Sequence, residues 1–112
     1  QILWISKILL CGRSTGMKLK LLPGQGERGS SEWKEVLFNG MRTAVAEISP
    51  NYRSADCCSK GHILYCIQGE LTIEFNDGRK VKLLPGRSLI HGEGEPHIAI
   101  TGNPGAKIFV VD

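Results

Sequence analysis

Glycine falls at positions 61, 69, 78, 86, 94 and 102, cutting the second half of the chain into pieces of about eight residues. A piece that short holds one strand and a turn and leaves no room for a helix of several turns. Apolar residues never recur at helical spacing over ten or more positions. Neighbouring strands joined by such short links must run antiparallel, because a parallel crossover needs about a dozen residues or more. The expectation is an all-β chain, with a closed or nearly closed antiparallel barrel as the economical way to remove sheet edges.

The strands can be read between turn signals. Trp33 to Phe38 ends at Asn39-Gly40, the strongest hairpin cue in the chain, and Met41 to Ile48 ends at Ser49-Pro50. His62 to Ile67 follows, and beyond Gly69 comes Leu71 to Phe75, where Leu71, Ile73 and Phe75 alternate with Thr72, Glu74 and Asn76. Asn76-Asp77-Gly78 and Pro85-Gly86 bracket Arg79 to Leu84. Ser88 to His91, His97 to Thr101 and Ala106 to Val111 complete the set.

The amino-terminal part reads differently. Residues 1–11 have strand-forming content, whereas Pro23 to Ser31 is rich in glycine and polar residues and reads as loop. The expected organisation is an extension over residues 1–32, with an edge strand and a Gly-rich loop, ahead of a single barrel domain over residues 33–112. Met17 is a candidate natural start, which would make the first sixteen residues an upstream extension. The alternative is that they add a strand to a sheet edge, including that of a partner subunit.

Composition excludes several classes. A hydrophobic content of 41% with 22% charged residues belongs to a globular chain rather than a disordered one. The net charge of +3 comes from scattered Lys and Arg, without the basic footprint that nucleic acid requires. The apolar opening from Ile2 to Cys11 is interrupted by Lys7, lacks a basic leading region and is too short to span a bilayer. Neighbouring Cys57 and Cys58 cannot bond to each other without strain, so Cys11, Cys57, Cys58 and Cys66 are read as free or metal-bound thiols. A cytoplasmic protein with neither a nucleic-acid nor a membrane partner is the expectation.

Chemistry concentrates in two stretches. Asp56-Cys57-Cys58-Ser59-Lys60-Gly61-His62 gathers thiols, a carboxylate and an imidazole ahead of a strand, and His97 opens another. Residues two apart on a strand share a face, so Asp56 pairs with Cys58, and His62 with Leu64 and Cys66. If both faces look inward, Cys58, His62 and His97 converge with Asp56 as a fourth donor, a set suited to a divalent transition metal such as Zn, Fe, Mn or Ni. Each of these residues also has an ordinary structural use: a hydrogen-bonded core histidine, a buried cysteine acting as a small hydrophobe, an aspartate capping a turn. His91 is placed at the cavity mouth. Glu93 and Glu95, in a glycine-rich loop, are either acid–base groups or solvated, and Lys60 and Arg87 are rim cations.

These stretches resemble the two motifs of the cupins, small β-barrel proteins. Counting back from Gly69 puts His62 at the position of the family's glutamate, with Asp56 and Cys58 at its histidine pair. Gly86, Gly92, Gly94, His97 and Thr101 match the second motif, with Gly92 in place of its proline and Thr101 in place of its asparagine. The segments Ser49 to Tyr52 and Cys58 to Ile63, followed by Gly69-Glu70-Leu71, are similar to a bacterial cupin subgroup named for an Asp-His-Cys-Trp motif. The His and Trp of that motif are absent here. The resemblance implies an antiparallel jelly-roll β-barrel, the double-stranded β-helix, over about residues 33 to 111.

Three functions are compatible with this reading. A metal held by His62, His97, Cys58 and Asp56 would serve a dioxygenase or isomerase-like reaction, or binding alone. A metal-free module would enclose a small organic ligand against an apolar lining that includes Leu64 and Phe75, with His91 and Tyr65 beside it. The third is a scaffold for subunit association, with Tyr65 in sheet packing or at a dimer contact. A homodimer is expected under each.

Overall fold

The computed structural model describes residues 18–38, 40–55, 62–92 and 94–112. Seven strands follow one another: β1 (Lys18–Gln25), β2 (Ser30–Phe38), β3 (Met41–Ile48), β4 (His62–Phe75), β5 (Lys80–Leu83), β6 (Ser88–His91) and β7 (His97–Val111). All of their pairings are antiparallel. Phe38 and Met41 are register partners, as a two-residue hairpin link requires, while Asn39 itself lies outside the described residues. Among the described residues no helix is long and apolar enough to cross a membrane.

The stretch read as loop, Pro23 to Ser31, is ladder at both ends and loop over residues 26–29 between them. β1 runs through Pro23 and Gly24 to Gln25, which pairs with Ser30. An edge strand tolerates proline because one side of its backbone needs no partner.

Two strands are longer than their turn signals imply. β4 continues through Gly69 and β7 through Gly102 and Gly105, where hairpin turns were expected. Gly69 (φ 75°) sits at register shifts in the β4–β7 ladder, so here glycine bends a continuous strand instead of reversing it. The first part of β4 pairs with β6 and with the end of β7, and its last part pairs with β5 and the start of β7. Bending both long strands folds the sheet into two layers. Leu64, Cys66, Ile108 and Val110 of one meet Leu71, Ile73, Phe75 and Leu83 of the other in a single core. Full burial of side chains such as Leu71, Ile73 and Leu83 is worth about 1.5–3 kcal/mol each.

The closed jelly-roll barrel expected from the sequence does not form. The sheet runs β1-β2-β3-β7-β4-β5, with β6 attached to β4, and no ladder among the described residues joins β1 to β5 or β6. The argument for closure was that it hides edges, and this fold protects them by other means. β5 and β6 have only four residues each. Edge strand β5 carries Lys80 and Lys82, whose ammonium groups pair with Glu74 at 3.6 Å and Glu70 at 3.1 Å. The β5–β6 turn is also fastened to β4, with Gly86 N donating to Cys66 O and Cys66 N to Arg87 O.

The segment after β3 flanks the smaller layer. Thr101, the residue in place of the motif asparagine, donates its hydroxyl to Ser49 O at 2.7 Å and accepts from Tyr52 N at 2.9 Å. The Ser54 hydroxyl accepts from Ala99 N at 2.9 Å. These bonds hold Tyr52 and Ser54 against β7.

Candidate functional site

Between the layers lies a cavity of about 350 Å³. Its apolar wall comes from the inward positions of β4 and β7, namely Leu64, Leu71, Ile73, Ala99, Ile108 and Val110, with Trp33 and Tyr52 beside them. Its polar lining includes His97 from the smaller layer and Glu35, Arg42 and Asp112 from the larger one. The registers Phe75↔His97, Thr43↔Val111 and His62↔His91 put these groups toward the end of the sandwich away from the Gly69 bend.

His97 is 5% exposed and His91 7%, with ring centroids 4.3 Å apart. Both rings contact Phe75 at 5.8 Å. His97 Nδ1 lies 2.9 Å from Glu95 O, and His91 Nδ1 lies 3.2 Å from Gly92 O. A carbonyl can only accept, so each Nδ1 carries the hydrogen, and in the neutral ring the lone pair belongs to Nε2. The histidines are therefore oriented by the loop that links β6 to β7.

Glu95 organises that loop. Its carboxylate accepts from Arg79 Nη2 at 2.6 Å and from Gly92 N at 3.1 Å. The Arg79 bond first, then the Gly92 bond, holds the carboxyl below the usual glutamate range. Arg79 also bonds Asp77 at 2.7 Å and lies 4.5 Å over the Phe75 ring. Glu95 thus serves as a loop clamp, and Glu93 lies outside the described residues.

Across the cavity lining, Arg42 Nε donates to Glu35 Oε1, while Nη1 reaches Asp112 Oδ1 and Oδ2 at 3.1 and 2.9 Å. The Glu35 and Asp112 side chains are 8% and 6% exposed. Burial alone would lower the Arg42 pKa, but the bonds to Glu35 and Asp112 raise it on balance, so the guanidinium stays charged. Sequence reading passed over this cluster because charges beside a hairpin usually face water. The available signal was parity, since Glu35 shares its face with Trp33, two residues before it.

The remaining expected residues are distributed as follows. Leu64 lines the cavity, and Phe75 backs the two imidazoles. Tyr65 is 42% exposed, next in strand to inward Leu64. Asp56 and Cys58 lie outside the described residues, and of His62 the backbone is described, opposite His91. Cys66 is fully buried, its thiol pushed up in pKa chiefly by that burial, which marks it as packing. Among the described residues no three His, Cys, Asp or Glu side chains gather into a set that could hold a metal ion. The described donors stop at two imidazoles, short of the three or four that such ions take.

The two-layer antiparallel architecture is that of a cupin-like fold, shared with solved structures of low sequence identity. The polyketide cyclase RemF from Streptomyces resistomycificus is 20% identical, with a TM-score of 0.66 over 93% of this chain and 78% of that one. The Fe(II) form of HppE with the alternative substrate (S)-1-HPP is 13% identical, with a TM-score of 0.69 over 93% of this chain and 60% of that one. A Rhizobium leguminosarum protein of unknown function is 18% identical, with a TM-score of 0.65 over 75% of this chain and 81% of that one. No family model matches the sequence, and no curated protein matches it. At these identities the likeness concerns the fold alone.

Proposed function

We propose that this chain binds a small, largely apolar organic molecule between its two sheet layers, with His97 as a polar contact. The observation that carries the reading is the cavity of about 350 Å³, apolar along Leu64, Leu71, Ile73 and Val110 and polar toward the end away from the Gly69 bend. A concave apolar site with a few oriented polar groups is the usual form of a small-molecule pocket. Thermal unfolding with a series of small aromatic and aliphatic compounds tests it. The midpoint rises with compounds that fit, and a flat response across the whole series overturns the proposal.

A second reading is a divalent metal at the paired imidazoles. It is favoured by the fixed tautomers of His91 and His97 and by the backbone register of His62 with His91. Further donors would come from His62, Cys58 and Asp56. Elemental analysis of untagged protein checks it. Stoichiometric Zn, Fe, Mn or Ni that is lost in His97→Ala supports this reading, and metal-free protein that stays metal-free after incubation with these ions rejects it.

A further inference from the structure

The Glu35–Arg42 pair carries an inference about which ligand the cavity accepts. Glu35 lines the cavity with its side chain 8% exposed. Its Oε1 is taken by Arg42, and among the described residues no donor bonds Oε2. Oε2 keeps some accessible surface instead of being sealed in protein, so it is an acceptor that a donor on a molecule filling the cavity can use. Arg42 is a poor anion receptor even though Nη2 keeps its hydrogens, because its single charge is already paired with two carboxylates, Glu35 through Nε and Asp112 through Nη1. A carboxylate ligand would therefore meet Glu35 with a guanidinium that is largely neutralised.

We infer that the cavity takes molecules with an apolar body and a hydrogen-bond-donating head, an alcohol or an amine, and rejects carboxylates. The head donates to Glu35 Oε2, and the body covers Leu64, Ile73 and Val110. This assignment rests on the cavity reading above and adds the head-group chemistry to it.

A matched series separates the two claims: 2-phenylethanol, 2-phenylethylamine, ethylbenzene and phenylacetate, titrated by calorimetry into the full chain. The alcohol or the amine should bind about tenfold more tightly than ethylbenzene, and phenylacetate more weakly than either. The isosteric Glu35→Gln variant, checked for an unchanged fold by its circular dichroism spectrum, should reduce the preference for the amine and admit phenylacetate. Equal binding of all four compounds overturns the head-group assignment and leaves the cavity reading intact. Binding by none of them overturns both.

Discussion

His97 Nδ1 donates to the carbonyl oxygen of Glu95, two residues earlier, at 2.9 Å, and this bond sets which nitrogen of the imidazole carries its lone pair. The ring has little freedom, because His91 lies 4.3 Å away and Phe75 5.8 Å away. Long-range ¹H–¹⁵N correlation spectra of the neutral ring should therefore show His97 as the Nδ1–H tautomer. An Nε2–H pattern would contradict this orientation of the ring.

The Glu95 clamp makes the loop sensitive to acid. Its folded pKa is held down by the Arg79 and Gly92 bonds, so its contribution to stability is present above the unfolded value and is lost as pH falls through the folded one. Thermal midpoints measured from neutral pH downward should begin to fall below about pH 4.5. Glu95→Gln should fall less steeply over the same range. Parallel curves for the two proteins would mean that the clamp contributes nothing to the acid response.

The glycine rhythm made the antiparallel β class readable, because short segments with alternating apolar residues have few other solutions. It did not tell a turn from a bend. Gly78 reverses the chain and Gly69 only kinks it, and the difference lies in β7, which runs alongside β4 across that point. Closure was unreadable for a related reason, since the lysines of β5 protect an edge as effectively as a partner strand does. At the site, His97 stood out by its motif position. Glu35 and Arg42 did not, because what separates a buried ion pair from a solvated one is the opposite layer, which is contributed by residues far along the chain.

Gly69 should be among the least replaceable positions. Its φ of 75° strains any other residue, and an added Cβ would run into the Gly105 carbonyl and come 3.0 Å from Ala106 Cα. Gly78 shares the positive φ but has open space around it. Gly69→Ala should cost about 3–5 kcal/mol and Gly78→Ala about 1–2 kcal/mol in urea denaturation. Equal losses would show that the crossing of β4 and β7 at Gly69 and Gly105 is not tightly packed in solution.

Replacing Arg42 tests the buried charge cluster. Arg42→Met retains much of the side-chain stem but leaves the Glu35 carboxylate nearly buried without its guanidinium. The loss should be about 3 kcal/mol at neutral pH, the lower end for breaking a buried pair because Arg42 is 23% exposed. Urea denaturation of the two proteins measures it, and a loss below about 1 kcal/mol would show that the pair contributes no more than a solvated surface pair does.

Two substitutions separate ligand space from structural core. Ala99 lines the cavity and is only partly buried, so Ala99→Leu extends into empty volume without displacing packed atoms. Leu83 is 2% exposed in the core but does not line the cavity, so Leu83→Ala removes packing and leaves the binding space as it was. Ala99→Leu should change stability by less than about 1 kcal/mol and abolish the calorimetric signal of 2-phenylethanol. Leu83→Ala should lose about 2–5 kcal/mol and keep that signal at temperatures where it remains folded. The opposite pattern, with binding retained in Ala99→Leu, would move the ligand out of the space between the layers, because a leucine side chain at position 99 and a phenyl ring on Leu64 and Ile73 would compete for the same volume.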